Sequence, residues 1–205
     1  YEICKLIISN VDEKNPAWPN GVTPLSIAAQ YGHYEICKLI ISNVGEKNPA
    51  NNDGVTPLYM AAENNHFDIC KLIIDNVNDK NPATHDGVTP LFIAAQKGHY
   101  EICNLIITNV NDKNPARNDG VTPLQKAAEK GHCEIFKLIF DSLGNSNRNP
   151  MSKGGLTPLE SAAMNGHLKI CKIILDVVDD ENPMTGNLTS LLYRTANKGH
   201  FEVFK

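Results

Sequence analysis

The sequence has no apolar run approaching the ~20 residues that a membrane-spanning helix needs. It has no surplus of cations: 19 Lys and Arg stand against 23 Asp and Glu, for a net charge of −4. That balance argues against a generic polyanion binder and gives no expectation of nucleic acid as a partner. Compositional bias is lacking as well. With 41% apolar and 20% charged residues over 205 positions, the chain is neither disordered nor fibrous. A signal peptide is also missing, but Tyr1 is not a natural start, so that gap carries no argument about a leader.

What is present is a period. The Thr of a Gly-Val/Leu-Thr-Pro-Leu run recurs at Thr23, Thr56, Thr89, Thr122 and Thr157, in steps of 33, 33, 33 and 35. Gly-His follows at 32–33, 98–99, 131–132, 166–167 and 199–200, with Asn65-His66 in the second slot. Asn-Pro recurs at 15–16, 48–49, 81–82, 114–115, 149–150 and 182–183, and residues 1–11 are identical to 34–44. The two extra residues of the last step fall within 141–148, a stretch of loop composition.

The period also explains the cysteines. Cys4, Cys37, Cys70 and Cys103 are each 33 residues apart. Stacked helices sit ~8–10 Å apart, beyond the ~7 Å Cα limit for a disulfide. Reduced thiols are expected, and with them a reducing compartment such as the cytoplasm or the nucleus.

Each unit reads as two short helices and a finger. Thr caps the first helix and Pro occupies its first turn, where a missing N–H costs nothing. An Ala-Ala pair, as at Ala61-Ala62, allows close approach of a neighbour. Gly or Asn65 ends the helix in the left-handed conformation. In the second helix, Ile36, Cys37, Ile40 and Ile41 make an i, i+1, i+4, i+5 apolar face. A polar stretch with Asn-Pro and a terminal Asp-Gly or its equivalent then reads as a projecting hairpin finger. One such pair cannot bury its own face, so the units must stack without a single central core.

These residues resemble the ankyrin-repeat family: the 33-residue period, the Thr-Pro-Leu start, the Ala-Ala pair and the Gly-His before the second helix all match it. The fold class implied is an all-α solenoid of stacked helix-turn-helix units with short β-hairpin fingers. Two features depart from the family pattern. The His expected after Thr-Pro-Leu is replaced by Ser26, Tyr59, Phe92, Gln125, Glu160 and Tyr193, and the finger's usual Gly-Ala-Asp is replaced, for example by Val44-Gly45-Glu46. The family's finger Asn remains at Asn48, Asn81 and Asn114. The array divides into a partial repeat 1–20, repeats 21–53, 54–86, 87–119, 120–154 and 155–187, and a partial repeat 188–205 with an eroded start. Phe201, Val203 and Phe204 do not form a polar cap, and a fragment of a longer array is expected.

No residue set points to catalysis. His-x-x-x-Cys at 33/37, 66/70, 99/103 and 167/171 has the i, i+4 spacing of a zinc pair. Phe136 in the fourth unit, however, removes a ligand and keeps a core residue, so the pattern reads as core, with no metal and no cofactor. The His is expected to bond the loop. Cys133 opens a second helix, where a thiol pKa can fall, but an incidental substitution at a half-exposed position explains it better. The sequon at 187–189 is expected by chance in an Asn-rich chain. Other His, Asn and Asp mostly recur in register, as scaffold residues do, and the chain is not expected to be an enzyme.

The resemblance implies a protein or peptide partner held on the concave face formed by finger tips and first helices. Positions there that break the repetition are the candidates: Trp18, Tyr31, Tyr59, Glu63, His85, Phe92, Lys97, Arg117, Lys126, Lys130 and Lys153. Trp18 fits both a partner contact and packing on a neighbouring finger. Tyr59, Phe92 and Tyr193 occupy a slot at the junction of repeats, where packing is favoured. The lysines and Arg117 would suit an acidic, partly hydrophobic peptide, but an ordinary mixed, solvated surface is the favoured reading. The expected protein is a monomeric, non-enzymatic interaction module, with a structural spacer within a larger protein as the alternative.

Overall fold

The structure, a computed structural model, describes residues 1–144, 148, 150–177, 191 and 195–197. Residues 178–190, Tyr193, Phe201, Val203 and Phe204 lie outside the described residues, and with them the sixth Asn-Pro, the sequon and most of the final partial repeat. The chain divides into two compact units, Tyr1–Val110 and Asn111–Lys205. The first holds α1 (Glu2–Asn10), α2 (Pro24–Gln30), α3 (Tyr34–Ile41), α4 (Pro57–Glu63), α5 (Phe67–Ile74), α6 (Pro90–Lys97) and α7 (Tyr100–Ile107). The second holds α8 (Pro123–Lys130), α9 (Cys133–Ser142), α10 (Pro158–Met164) and α11 (Leu168–Leu175).

The start of each first helix has four N–H positions to account for. Pro occupies the first and has no N–H. The second is the N–H of Leu25, Leu58, Leu91 or Leu124, which donates to Oδ1 of Asn15, Asn48, Asn81 or Asn114, ten residues earlier, at 2.8–2.9 Å. The third donates to the capping Thr side chain at 3.2–3.3 Å. The fourth reaches the carbonyl of the same Thr, as Ile27 N–H does to Thr23 O. Ser26 and Glu160 return a bond to the cap and complete capping boxes. Because the leucines are buried, an amide left unpaired there would cost about 1–3 kcal/mol.

The first helices end as the sequence anticipates. Gly32, Gly98, Gly131 and Gly166 have φ of 75–88°, and Asn65 reaches 62° in the same slot. Gly is required there for a second reason. A Cβ on Gly32 would meet the His66 ring at 2.6 Å, and one on Gly131 the His167 ring at 2.5 Å. Three of the histidines bond the preceding repeat where a bond to the loop was expected. Nε2 of His66 and His99 donates to the carbonyls of Gln30 and Glu63, and that of His167 to Glu129, at 3.0–3.1 Å. Each ring therefore clasps the end of the preceding repeat's first helix.

In the first unit, α2, α4 and α6 stack as one row and α3, α5 and α7 as a second, with α1 against α3. In the second unit, α8 packs on α9 and α10, and α11 on α9 and α10. In each unit the Ala-Ala pairs of the first helices are buried, as are Cys37, Cys70, Cys103, Phe136 and Cys171 on the second helices. Gln125 replaces the expected His by bonding Leu156 O and Ser161 Oγ of the next repeat at 3.0 and 3.2 Å.

Two expectations need correction. The fingers are single hydrogen-bonded turns, as in Asn51 N–H to Val55 O (2.9 Å) and Gly54 N–H to Asn51 O (3.0 Å), and no β-strand occurs among the described residues. The irregular stretch is not all loop, since Asp141 and Ser142 lengthen α9.

The two kinds of glycine should separate in urea. Gly32→Ala, with a left-handed φ and the His66 ring against it, should lower stability by at least the ~1–2 kcal/mol of left-handed backbone strain. Gly45→Ala, with nothing within 4 Å of its Cβ and no positive φ, should be neutral or stabilising by up to ~1 kcal/mol. Equal midpoints for the two variants would contradict the clasp.

Candidate partner-binding site

The surface positions the repetition leaves open lie on fingers and first helices. In the first unit Trp18, on the first finger, is 68% exposed and Tyr31, at the end of α2, is 64% exposed, its ring stacked 6.3 Å from that of His33. Tyr59 is half-buried on α4 and His85 is exposed on the third finger. Phe92 is 1% exposed. Buried on α6, it offers nothing to a partner and leaves the candidate set. Glu63 and Lys97, chosen separately, form an ion pair at 3.8 Å.

In the second unit the cations belong to a mixed, ion-paired surface. Glu129 pairs with Lys126 at 2.6 Å and with Lys130 at 3.4 Å. Burial pushes the Glu129 carboxyl up, but the Lys126 hydrogen bond and the charges of Lys126 and Lys130 outweigh it and hold the group below its ordinary value. Arg117 pairs with Asp119 at 3.5 Å. Lys153 is exposed on its finger. Most of these cations are answered within their own unit.

Sequence reasoning missed Ile27. It lies one helical turn before Tyr31 on α2 and is 39% exposed. The signal was present in the sequence: the same slot holds Met60, Ile93, Lys126 and Ser161 in later repeats. A cleft of about 410 Å³ also opens between the loops around Gly45–Asn48 and Asn76–Asp79. Its side chains are largely engaged, with Lys47 Nζ on Asn76 Oδ1 at 3.4 Å and Glu46 on the Asn48 N–H at 3.0 Å.

The thiols are not poised for chemistry. Burial pushes Cys37, Cys70 and Cys103 up to about 12 and Cys171 to about 11, and all six cysteines are free. No group of three or more metal-ligating side chains occurs among the described residues. No helix among them is long and apolar enough to cross a membrane.

Iodoacetamide at pH 8 should modify only the half-exposed Cys4 and Cys133 in the native protein, with the other four reacting on unfolding. Rapid native labelling of Cys70 would contradict the packing. Glu129 gives a pH test. A carboxyl lowered in the folded state adds stability above its ordinary pKa, and that contribution is lost as pH falls through the folded value. Wild type should exceed Glu129→Gln by ~0.5 kcal/mol near pH 7, the scale of a partly exposed pair. The gap should close as the pH falls through the lowered value of the folded-state carboxyl. A gap that widens in acid would refute the pairing.

No curated protein matches the chain. The family model for ankyrin repeats matches it three times, over residues 1–84, 75–150 and 91–187. The two-helix units, the clasped Gly-His junctions and the capped Thr-Pro-Leu starts agree with that match over the described residues, and the chain belongs to the ankyrin-repeat family.

Proposed function

We propose that this array is a non-enzymatic protein-interaction module whose concave face, made by finger tips and first helices, holds a protein or peptide partner. The repeat boundaries are those of the period: 21–53, 54–86, 87–119, 120–154 and 155–187, flanked by 1–20 and 188–205. The single observation that carries the reading is the exposure of Trp18 and Tyr31 at non-repeating slots, while the repeated Thr, Leu, Ala, Asn, Cys and most His positions are committed to the scaffold. Large exposed aromatics are the residues that dominate interface energetics, and a repeat scaffold can vary such slots without altering its fold. The chain acts as a monomer in the cytoplasm or nucleus, where buried free thiols persist. The remaining candidates are Tyr59, Glu63, His85 and Lys97 in the first unit and Arg117, Lys126, Lys130 and Lys153 in the second.

Affinity capture followed by measured binding tests the reading. Trp18→Ala and Tyr31→Ala should each weaken partner binding at least tenfold with unchanged thermal melts. Glu35→Ala, on the second-helix side, should change neither. Full binding by both aromatic variants, or loss in Glu35→Ala, would move the partner to another face. Failure to bind any partner would favour a spacer.

A further inference from the structure

The first finger differs from the second, third and fifth at two adjacent positions; in the fourth, Arg117 fills the Trp18 slot and Asp119 Oδ1 takes the Val121 N–H at 3.0 Å. In the slot of Trp18, three other fingers carry a side chain that closes its own turn. Asn51 Oδ1 accepts the Val55 N–H at 2.8 Å, Thr84 Oγ1 the Val88 N–H at 3.1 Å, and Ser152 Oγ the Leu156 N–H at 3.3 Å. An indole has no acceptor. In the first finger Asn20 Oδ1 takes the Val22 N–H instead, at 3.1 Å. Trp18 gives up a structural task and gains no burial in return. A residue that breaks a local rule with no compensating packing marks a functional position.

The next slot removes a backbone donor. Asn52 and His85 donate their N–H to Asn20 O and Asp53 O of the preceding finger at 3.1 Å, and Lys153 donates to Asp119 O at 2.9 Å. The residue in this slot of the first finger is Pro19, which has no N–H. The edge beside Trp18 is therefore closed to extension by the bond that joins later fingers, as proline closes the edges of sheets.

The same repeat exposes two more large apolar side chains, on and just after α2. Ile27 and Tyr31 are i and i+4 on one face, both exposed. One repeat on, the Tyr31 slot holds Asn64, and two repeats on Lys97, so an aromatic at this slot is confined to the first repeat, while the Ile27 slot stays apolar in Met60 and Ile93. The charge of the neighbouring slots is negative. Lys97 is answered by Glu63, while Asp53 and Asp86 are exposed on the second and third fingers with no ion pair among the described residues.

We propose that Trp18, Ile27 and Tyr31 form an anchor site for a partner segment that carries an aromatic or aliphatic side chain flanked by Lys or Arg. The apolar side chain seats on the three exposed residues. The flanking cations face Asp53 and Asp86, and one can stack on the Trp18 ring. The proposal rests on the concave-face reading above and reverses the charge expected of the partner from the lysine count alone.

A random dodecapeptide phage library panned on the full chain tests it. Selected peptides should combine an aromatic or aliphatic anchor with Lys or Arg. Trp18 is the only Trp, so its emission should shift to the blue on titration with the synthetic peptides. By fluorescence polarisation of labelled peptide, Trp18→Ala and Tyr31→Ser should each weaken binding at least tenfold. The Asp53→Asn/Asp86→Asn double variant should weaken it several-fold at low salt and flatten its salt dependence, and all melts should stay unchanged. An acidic consensus, no selected peptide, or full binding by Trp18→Ala would overturn the proposal. If Trp18→Ala and Tyr31→Ser bind normally but Glu63→Ala/Lys97→Ala does not, the concave face stands and the anchor site falls. If neither set matters, both fall.

Discussion

The bond from a finger asparagine to the second amide of the helix ten residues on is the constraint from which the rest follows. It ties the loop that closes one repeat to the first helix of the next. With Thr on the third amide, Pro at the first and a backbone carbonyl for the fourth, a helix of only seven or eight residues begins with every donor satisfied. Helices that short are not stable by propensity. They persist because their starts are closed and their Ala-Ala faces are buried. The finger is thereby set at a fixed position relative to the helix, and the surface both display becomes rigid.

The His-Gly clasp is a second tie between consecutive repeats, at the other end of the first helix. The ring donates to a carbonyl at the end of the preceding first helix, over a glycine with no Cβ to obstruct it. One residue type thus satisfies an orphan acceptor and fixes the spacing between units. The consequence for function is a division of positions. Thr, Pro, Leu, Ala, Gly, His, Asn and Cys are committed to closing and stacking the repeats. Only finger and first-helix slots remain to differ, and there the first repeat carries its exposed Trp, Ile and Tyr. Ion pairing narrows the field further. Lys126 and Lys130 are held by one carboxylate and Lys97 by another, so the cations that a count assigns to the surface are largely neutralised by their neighbours.

Most of the fold was legible because its signals are local and repeated. The Thr-Pro cap, the glycine or Asn65 stop and the Ala-Ala pair each act within one turn of helix, and five copies in register leave no ambiguity. The parts that were not legible depend on who stands next to whom. The partner of each His is in another repeat 36 or 38 residues away, a separation that spacing alone does not interpret. Phe92 and Tyr59 share a slot, yet one is buried and the other half-open. Ile27 escaped notice because an aliphatic residue on an amphipathic helix reads as core.

Residues 1–11 and 34–44 are the same eleven letters. Both form a helix, as the shared apolar spacing dictates, and in both the final Ile of the helix's apolar face is buried. In α3, with α2 and α5 packed on it, Ile40 is 2% exposed; its counterpart Ile7 in α1 is 53% exposed. The sequence by itself determined the period, the helices, their caps and the apolar stripe, because those depend on interactions a few residues apart. Which stripe is covered, which charge is cancelled and which aromatic faces solvent was decided only by the tertiary structure, since burial belongs to the neighbours a segment acquires and not to its own residues.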